Sequence, residues 1–189
     1  MLGELASIQV GYTFRAGLSP DPKGGTCVIQ LKDVPDDDTP AFDSLTRIAF
    51  GDIRETHRVL PGDILFRSRG TRPSCALVSD ALPETMLAAP LFRIRVTSGA
   101  IDPAYLCWFI NCHGRSHLES RVAGSALKML GVADLKELPV TLPPLERQRQ
   151  MTELVRLARR ETQILQSISE KRSNLVATSL ARALQETHP

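Results

Sequence analysis

The sequence predicts an α+β protein in which a domain with a mixed sheet is followed by one long helix. Residues 142–185 contain no glycine, and their only prolines are Pro143 and Pro144 at the start, where a helix tolerates proline. Leu91–Thr97 alternates apolar and charged residues, which is typical of a half-buried strand. Asp102-Pro103 combines a helix cap with a proline at the first helical position. We therefore predict a globular domain over 1–141 and a helix over 142–189.

The elements of the domain are predicted in order along the chain. Leu2, Leu5 and Ile8 form a short amphipathic segment closed by Gly11, and Pro61-Gly62 suits the centre of a type II turn. The helix that starts at Asp102 is expected to run to Gly124-Ser125. Strands are predicted at 27–32, 64–69, 75–79, 91–97 and 127–130. In the fourth of these, Phe92, Ile94 and Val96 are expected to face inward, and Arg93 and Arg95 outward.

The long helix carries an apolar stripe. Its aliphatic residues recur at a spacing of three to four and predict a contact surface for another helix. Thr162, Ser169 and Ser179 interrupt a strict heptad, so a coiled coil with a second long helix, packing on the domain and a solvated appendage all stay open. We assign the stripe to a dimer or partner interface, with these members: Leu154, Ala158, Leu165, Ile168, Leu175 and Val176.

Composition excludes several classes of protein. The 189 residues are 42% hydrophobic and 23% charged, which is ordinary for a globular chain. No apolar run reaches the length of a membrane span, and the N-terminus lacks the basic and apolar regions of a signal peptide, so we expect a cytoplasmic protein with no membrane contact. The four cysteines lie in apolar contexts without a disulfide framework, and we expect reduced core thiols.

Charge is unevenly distributed, although the net charge is only +2. Residues 21–43 carry a local excess of four negative charges, and residues 47–72 a local excess of three positive charges, all on arginine. Arginine is the side chain best suited to forked contacts with phosphate or guanine. The middle of the chain is therefore the candidate for binding nucleic acid.

Motifs for chemistry are missing from the sequence. The Pro143-Pro144 pair lacks the polar and aromatic neighbours of a methyltransferase motif, no metal-nuclease pair follows Asp63, and Walker-type and Gly-x-Ser-x-Gly motifs are absent. His113 and His117 have the spacing of two zinc ligands, but no third ligand is signalled and packed or surface histidines are favoured. For the aspartates at 36–38, solvated side chains are favoured over a metal site. We predict a protein that is not an enzyme, with no cofactor and no metal.

Four segments in order resemble one half of the specificity (S) subunit of type I restriction-modification systems. They are Leu2-Gly3-Glu4-Leu5-Ala6 with Gly11; Leu60-Pro61-Gly62-Asp63-Ile64-Leu65 running to Arg69-Gly70-Thr71; Ala123-Gly124-Ser125-Ala126; and Leu135 through Leu138-Pro139-Val140-Thr141-Leu142-Pro143-Pro144-Leu145-Glu146-Arg147-Gln148. The last is the most specific, since a Leu-Pro-Pro-Leu-x-x-Gln pattern leads into a long helix. The chain holds one domain and one helix where family members usually hold two of each.

This resemblance implies a target-recognition domain that binds double-stranded DNA, and a conserved helix that packs antiparallel on a second helix as a spacer. Half-length members are expected to form homodimers that read inverted repeats separated by unspecified base pairs. The partners implied are DNA, a second copy, a methylation subunit and possibly a restriction subunit. The DNA contacts are assigned to two short stretches: Arg67, Arg69 and Arg72 in one, and Ser125 and Lys128 in the other.

Two other functions stay open. A helical protein-interaction adaptor without DNA binding of its own would show no salt-dependent affinity for duplex DNA. A nuclease or methylase would show turnover by the pure chain that depends on a metal or a methyl donor.

Overall fold

The computed structural model describes residues 1–15, 17–34, 42, 44–70, 72–122 and 129–186. The chain divides into two compact units, Met1–Arg149 and Gln150–Pro189. The first contains two sheets and four helices, and the last helix of the chain begins at its end. The α+β class with a mixed sheet and a long C-terminal helix is thus confirmed.

The strands that the structure describes form two sheets. They are β1 Ala6–Val10, β2 Thr26–Ile29, β3 Thr46–Ile48, β4 Ile64–Arg67, β5 Ser74–Leu77, β6 Thr85–Leu87 and β7 Leu91–Val96. The first sheet is antiparallel throughout, with strand order β1-β7-β4-β5. The second sheet is mixed and has the order β3-β2-β6, with β2 antiparallel to β3 and parallel to β6.

One helix precedes the strands along the chain, and the other α-helices that the structure describes follow them. They are α1 Leu2–Leu5, α2 Pro103–Asn111, α3 His113–Val122, α4 Val132–Lys136 and α5 Leu145–Glu186, with a 3-10 helix at Leu31–Asp33. The Asp102 carboxylate accepts hydrogen bonds from the N–H groups of Ala104 and Tyr105, which confirms the predicted cap of α2. Among the described residues, no helix is long and apolar enough to cross a bilayer.

Several boundaries differ from the sequence prediction. The N-terminal segment changes from helix to strand after Leu5, so Ile8 belongs to β1. The middle helix breaks at Cys112, and α5 starts at Leu145, after both prolines, rather than at Leu142. The sequence reading missed β3, β6 and α4, because three to five residues carry too little periodicity to be recognised. The predicted strand at 127–130 lies mostly outside the described residues.

The core lies between the sheets and helices and is aliphatic. Ile64, Leu65, Phe66 and Ile94 are fully buried. A second cluster, formed by residues of β2, β3 and β6, includes Val28, Ile48 and Met86. Two glycines of the segments that carry the resemblance are required by the local backbone. Gly62 has φ +88, as its turn position requires, and a Cβ on Gly11 would lie 2.4 Å from the backbone of Ala88.

Arginines of β7 secure the segment that precedes β4. The prediction that Arg93 faces outward is wrong: it is 5% exposed, and its guanidinium donates to the carbonyls of Glu55 and Arg58 at 3.0 and 2.6 Å. Burial lowers the pKa of Arg93. Arg95 makes a forked pair with the buried Asp63 carboxylate at 2.7 and 2.8 Å, and this hydrogen bonding raises the pKa of Arg95.

The start of α5 is held by Gln148, which is completely buried. Its Oε1 accepts the N–H of Asp102 at 2.9 Å. Its Nε2 donates to the carbonyls of Ala100 at 2.9 Å and Pro143 at 2.7 Å. Gln148 is the last residue of the Leu-Pro-Pro-Leu-x-x-Gln pattern, so the pattern has a structural meaning: it joins the start of α5 to the start of α2.

We predict that Gln148→Ala lowers the free energy of unfolding by about 2 kcal/mol, because the three hydrogen bonds that the buried Gln148 amide makes with Asp102, Ala100 and Pro143 are lost. Urea denaturation followed by circular dichroism measures the change. Gln150→Ala, an exposed glutamine two residues further along the same helix, is the matched control and should leave the midpoint in place. Equal effects of the two substitutions would contradict this role.

We also predict that Arg95→Met destabilises the domain by about 3 kcal/mol, because the Asp63 carboxylate stays buried without its cation. Arg156→Met removes an arginine that pairs with Glu153 on the exposed surface of α5 and should have no measurable effect on stability. Thermal unfolding of the two variants gives the comparison. An Arg95 variant as stable as the Arg156 variant would show that the pair is dispensable.

Candidate nucleic-acid interface

The hairpin of β4 and β5 carries the three predicted arginines. Its strands pair antiparallel with Arg67 opposite Ser74, so the turn between them holds Arg69 and Arg72. Gly70, inside the turn, has φ 150, a backbone conformation that favours glycine. The hairpin therefore places two arginines on a short connection at the end of the sheet.

Segment 129–130 lies against this turn. Arg69 forms an isolated antiparallel bridge with Met129, and the N–H of Leu130 donates to the carbonyl of Ser68 at 3.1 Å. The predicted contacts Ser125 and Lys128 lie outside the described residues. The turn and segment 129–130 therefore meet at the same place, although they are far apart in sequence.

Arg67 differs from the other two arginines in its environment. It is partly buried, and its Nη1 donates to the carbonyls of Leu31, at 3.0 Å, and Val34. These bonds fasten β4 to the 3-10 helix and give Arg67 a structural role. Its predicted contact with DNA stays a prediction.

Arg69 and Arg72 are exposed. The Nε of Arg69 lies 3.1 Å from the sulfur of Met129, which orients the start of the guanidinium group. A guanidinium in this setting offers several N–H donors in a plane and can bind a phosphate or the edge of a guanine. Of the three arginines, these two have the exposure that contact with DNA requires.

An aromatic cluster forms a second feature that the sequence did not predict. Tyr12 lies edge-on to Phe14, Phe50 and His57, with ring centroids 4.9, 5.4 and 5.5 Å away. A cavity of about 260 Å³ is lined by three residues of this cluster, Tyr12, Phe50 and His57, and by Asp52, Arg54 and Met86. Its walls could hold a flat ring or an apolar side chain. The lining residues come from three separate stretches of the chain, so no local motif marks the cavity.

The apolar stripe of α5 is exposed along its length. Ala158 is exposed, and the five larger members of the predicted interface, from Leu154 to Val176, are 52–68% exposed. On the opposite side of the helix the residues are polar, for example Gln163 and Ser167. Aliphatic side chains in a continuous exposed row favour contact with another apolar surface.

His113 of the weak zinc pattern and the nearby Cys107 pack against aromatic rings and a thiol. His113 stacks on Phe109 with ring centroids 6.0 Å apart and lies edge-on to Trp108 at 5.3 Å. The thiol of Cys107 faces Cys75. Within the described part of the chain, no group of three or more histidines, cysteines or acidic residues could hold a metal ion. Asp36, Asp37 and Asp38, for which the sequence favours solvated side chains, lie outside that part.

Comparison with known proteins gives a result only at the level of structure. No family model matches the sequence. No curated protein matches it either.

Two solved structures share the fold. One chain, from a structural study of complex assembly and conformational transition of the type I R-M system, has a TM-score of 0.63 at 20% sequence identity. The other, the HsdS subunit from Thermoanaerobacter tengcongensis, has a TM-score of 0.59 at 19% identity. Both comparisons cover 87% of this chain, which spans only 38% and 37% of those chains. The resemblance found in the sequence is confirmed at the level of the fold: over the described residues, the chain has the fold of a type I HsdS subunit, with a globular unit followed by a long helix.

Proposed function

We propose that the chain is a non-catalytic DNA-recognition subunit of a type I restriction-modification complex. The observation that carries this proposal is the HsdS fold itself, found over 87% of the chain. The four sequence segments that resemble specificity subunits support it independently of the fold comparison. The globular unit would bind double-stranded DNA, and methylation subunits, with or without a restriction subunit, would dock on the assembled helices.

The proposed DNA-binding surface is the turn between β4 and β5 together with the loop that ends at Lys128. Arg69 and Arg72 are exposed at this turn, and the segment after Lys128 lies against Arg69. A loop-rich surface of this kind would enter the major groove, where arginine distinguishes guanine by a forked contact. Ser125 and Lys128 complete the proposed surface as contacts to bases or phosphates.

The proposed role of α5 is to pair with the same helix of a second copy. Its 42 residues would extend about 60 Å as a continuous helix. Since the chain spans under two fifths of each HsdS chain, two copies would supply two recognition domains and two helices. Antiparallel pairing through Leu154, Ala158, Leu165, Ile168, Leu175 and Val176 would relate the domains by a two-fold axis. Such a dimer would read an inverted repeat interrupted by unspecified base pairs.

We predict that Arg69→Ala combined with Arg72→Ala weakens binding to the preferred duplex by about 2–6 kcal/mol, through loss of two base contacts of roughly 1–3 kcal/mol each. The preferred duplex is first selected from random DNA, with and without a methylation subunit, and the affinity is measured by fluorescence anisotropy over a salt series. Arg67 is left intact, because its bonds to Leu31 and Val34 would mix folding defects with binding defects.

The matched control for this experiment is Arg69→Lys with Arg72→Lys, which keeps both charges and loses the forked geometry. Phosphate contacts tolerate lysine, whereas forked base contacts do not. Site preference that survives both double substitutions would remove the turn from the interface. A wild-type chain without salt-dependent DNA binding, alone or with a methylation subunit, would favour the adaptor function instead.

We predict that Leu165→Lys with Ile168→Lys converts a dimer into a monomer, because two charges would be buried in the helix contact. Sedimentation equilibrium measures the mass, and circular dichroism checks that the helix remains. Gln163→Lys with Ser167→Lys adds the same charges on the opposite, polar side of α5 and should leave the dimer intact. A wild-type chain that is monomeric at every concentration, with and without a methylation subunit, would contradict self-pairing.

A further inference from the structure

Two thiols meet inside the domain. Cys75 on β5 and Cys107 on α2 have their Sγ atoms 3.6 Å apart, and neither takes part in a disulfide. Each sulfur also approaches the backbone of the other residue: the Cys75 Sγ lies 3.5 Å from the Cys107 carbonyl, and the Cys107 Sγ lies 3.7 Å from the Cys75 carbonyl. The two side chains therefore point at one another across the contact between a strand and a helix.

Asn111 holds this arrangement in place. Its Oδ1 accepts the N–H of Cys75 at 2.8 Å, and its Nδ2 donates to the carbonyl of Cys75 at 2.8 Å. Asn111 is itself 4% exposed and lies one helical turn after Cys107. Because both backbone groups of Cys75 are bound by a side chain of α2, the backbone of Cys75 is held beside the helix that carries Cys107.

The two thiols differ in access. Cys75 is 1% exposed and Cys107 is 8% exposed, so a small oxidant reaches Cys107 first. Hydrogen peroxide is small enough to use such an opening, whereas a bulky disulfide is not. Cys112 is the exposed cysteine of the chain, which contradicts the expectation that all four are core thiols.

We propose that Cys75 and Cys107 form an oxidation site, in which peroxide converts the two thiols into a disulfide that joins β5 to α2. The Cys107 thiolate attacks one oxygen of hydrogen peroxide, the O–O bond breaks, and a sulfenic acid forms as hydroxide leaves and takes up a proton to become water. The Cys75 thiolate then attacks the sulfenic sulfur, the S–O bond breaks, and a second water leaves. In total two thiols and one peroxide give one disulfide and two waters.

The disulfide would join parts of the fold that the chain connects only through β6 and β7. It closes a loop from residue 75 to residue 107, and a bond across such a loop reduces the freedom of the unfolded chain. It would also secure the strand that directly follows Arg72. The inference does not depend on DNA binding, so it can hold or fail separately from the proposed function.

The experiment treats the reduced full-length chain with increasing hydrogen peroxide, blocks the remaining thiols with N-ethylmaleimide and maps the cysteines by mass spectrometry. We expect a peptide pair linked through Cys75 and Cys107, with an intact mass lower by two hydrogen atoms and restored by dithiothreitol. Cys112→Ser is the control and should give the same linked pair. Oxidation that is confined to Cys112, or a Cys107 that passes to sulfinic acid without forming the link, would overturn the proposal.

A second measurement uses the order of the two steps. In Cys75→Ser, Cys107 should accumulate as a sulfenic acid that dimedone traps, whereas in Cys107→Ser, Cys75 should stay reduced at the same peroxide concentration. The wild-type mapping needs neither variant, so a folding defect in one of them does not decide the result. The oxidised wild type should unfold at a higher temperature than the reduced form, and the gain should vanish with dithiothreitol. An oxidised form without this gain would contradict the stabilising role of the link.

Discussion

The start of the long helix is restrained by one buried amide. Gln148 is the first fully buried side chain of α5 and binds backbone groups of three separate residues: Asp102, Ala100 and Pro143. Buried backbone groups need partners, and an amide side chain can serve as donor and acceptor at once. The two prolines before α5 cannot donate hydrogen bonds, so the helix start takes its restraint from this side chain. For a proposed spacer, a defined start is what makes a defined separation between two recognition domains possible.

Arginines serve two purposes in the domain, and burial separates them. Arg93 and Arg67 use their guanidinium groups to bind backbone carbonyls, and Arg95 pairs with the buried Asp63. These three hold loops against the central strands β4 and β7. Arg69 and Arg72 are exposed at the turn where β4 leads to β5. The local excess of arginine at 47–72 therefore includes Arg67, which stabilises the fold, as well as Arg69 and Arg72, which belong to the proposed DNA surface.

The contact between β5 and α2 satisfies the backbone of an edge strand and brings two thiols together. Asn111 satisfies the backbone of Cys75 in a place where the sheet has no further strand to do so, since β5 is the last strand in its sheet. The same bonds bring two thiols into contact beside the hairpin that carries Arg69 and Arg72. The edge of the sheet is covered by a helix, which is a common way to protect an edge strand, and here the cover brings oxidisable groups together.

The sequence by itself determined the fold class, the cap at Asp102, the strand at Leu91–Val96 and the uninterrupted helix, because each follows from local periodicity or from the geometry of proline and capping side chains. It also led to the HsdS resemblance that the structure confirmed as a fold. Only the tertiary structure decided that Arg93 is buried, that segment 129–130 lies against Arg69, and that Cys75 meets Cys107. These contacts join residues distant in the chain, and a side chain's partners across such distances are set by packing, which leaves no local pattern to read.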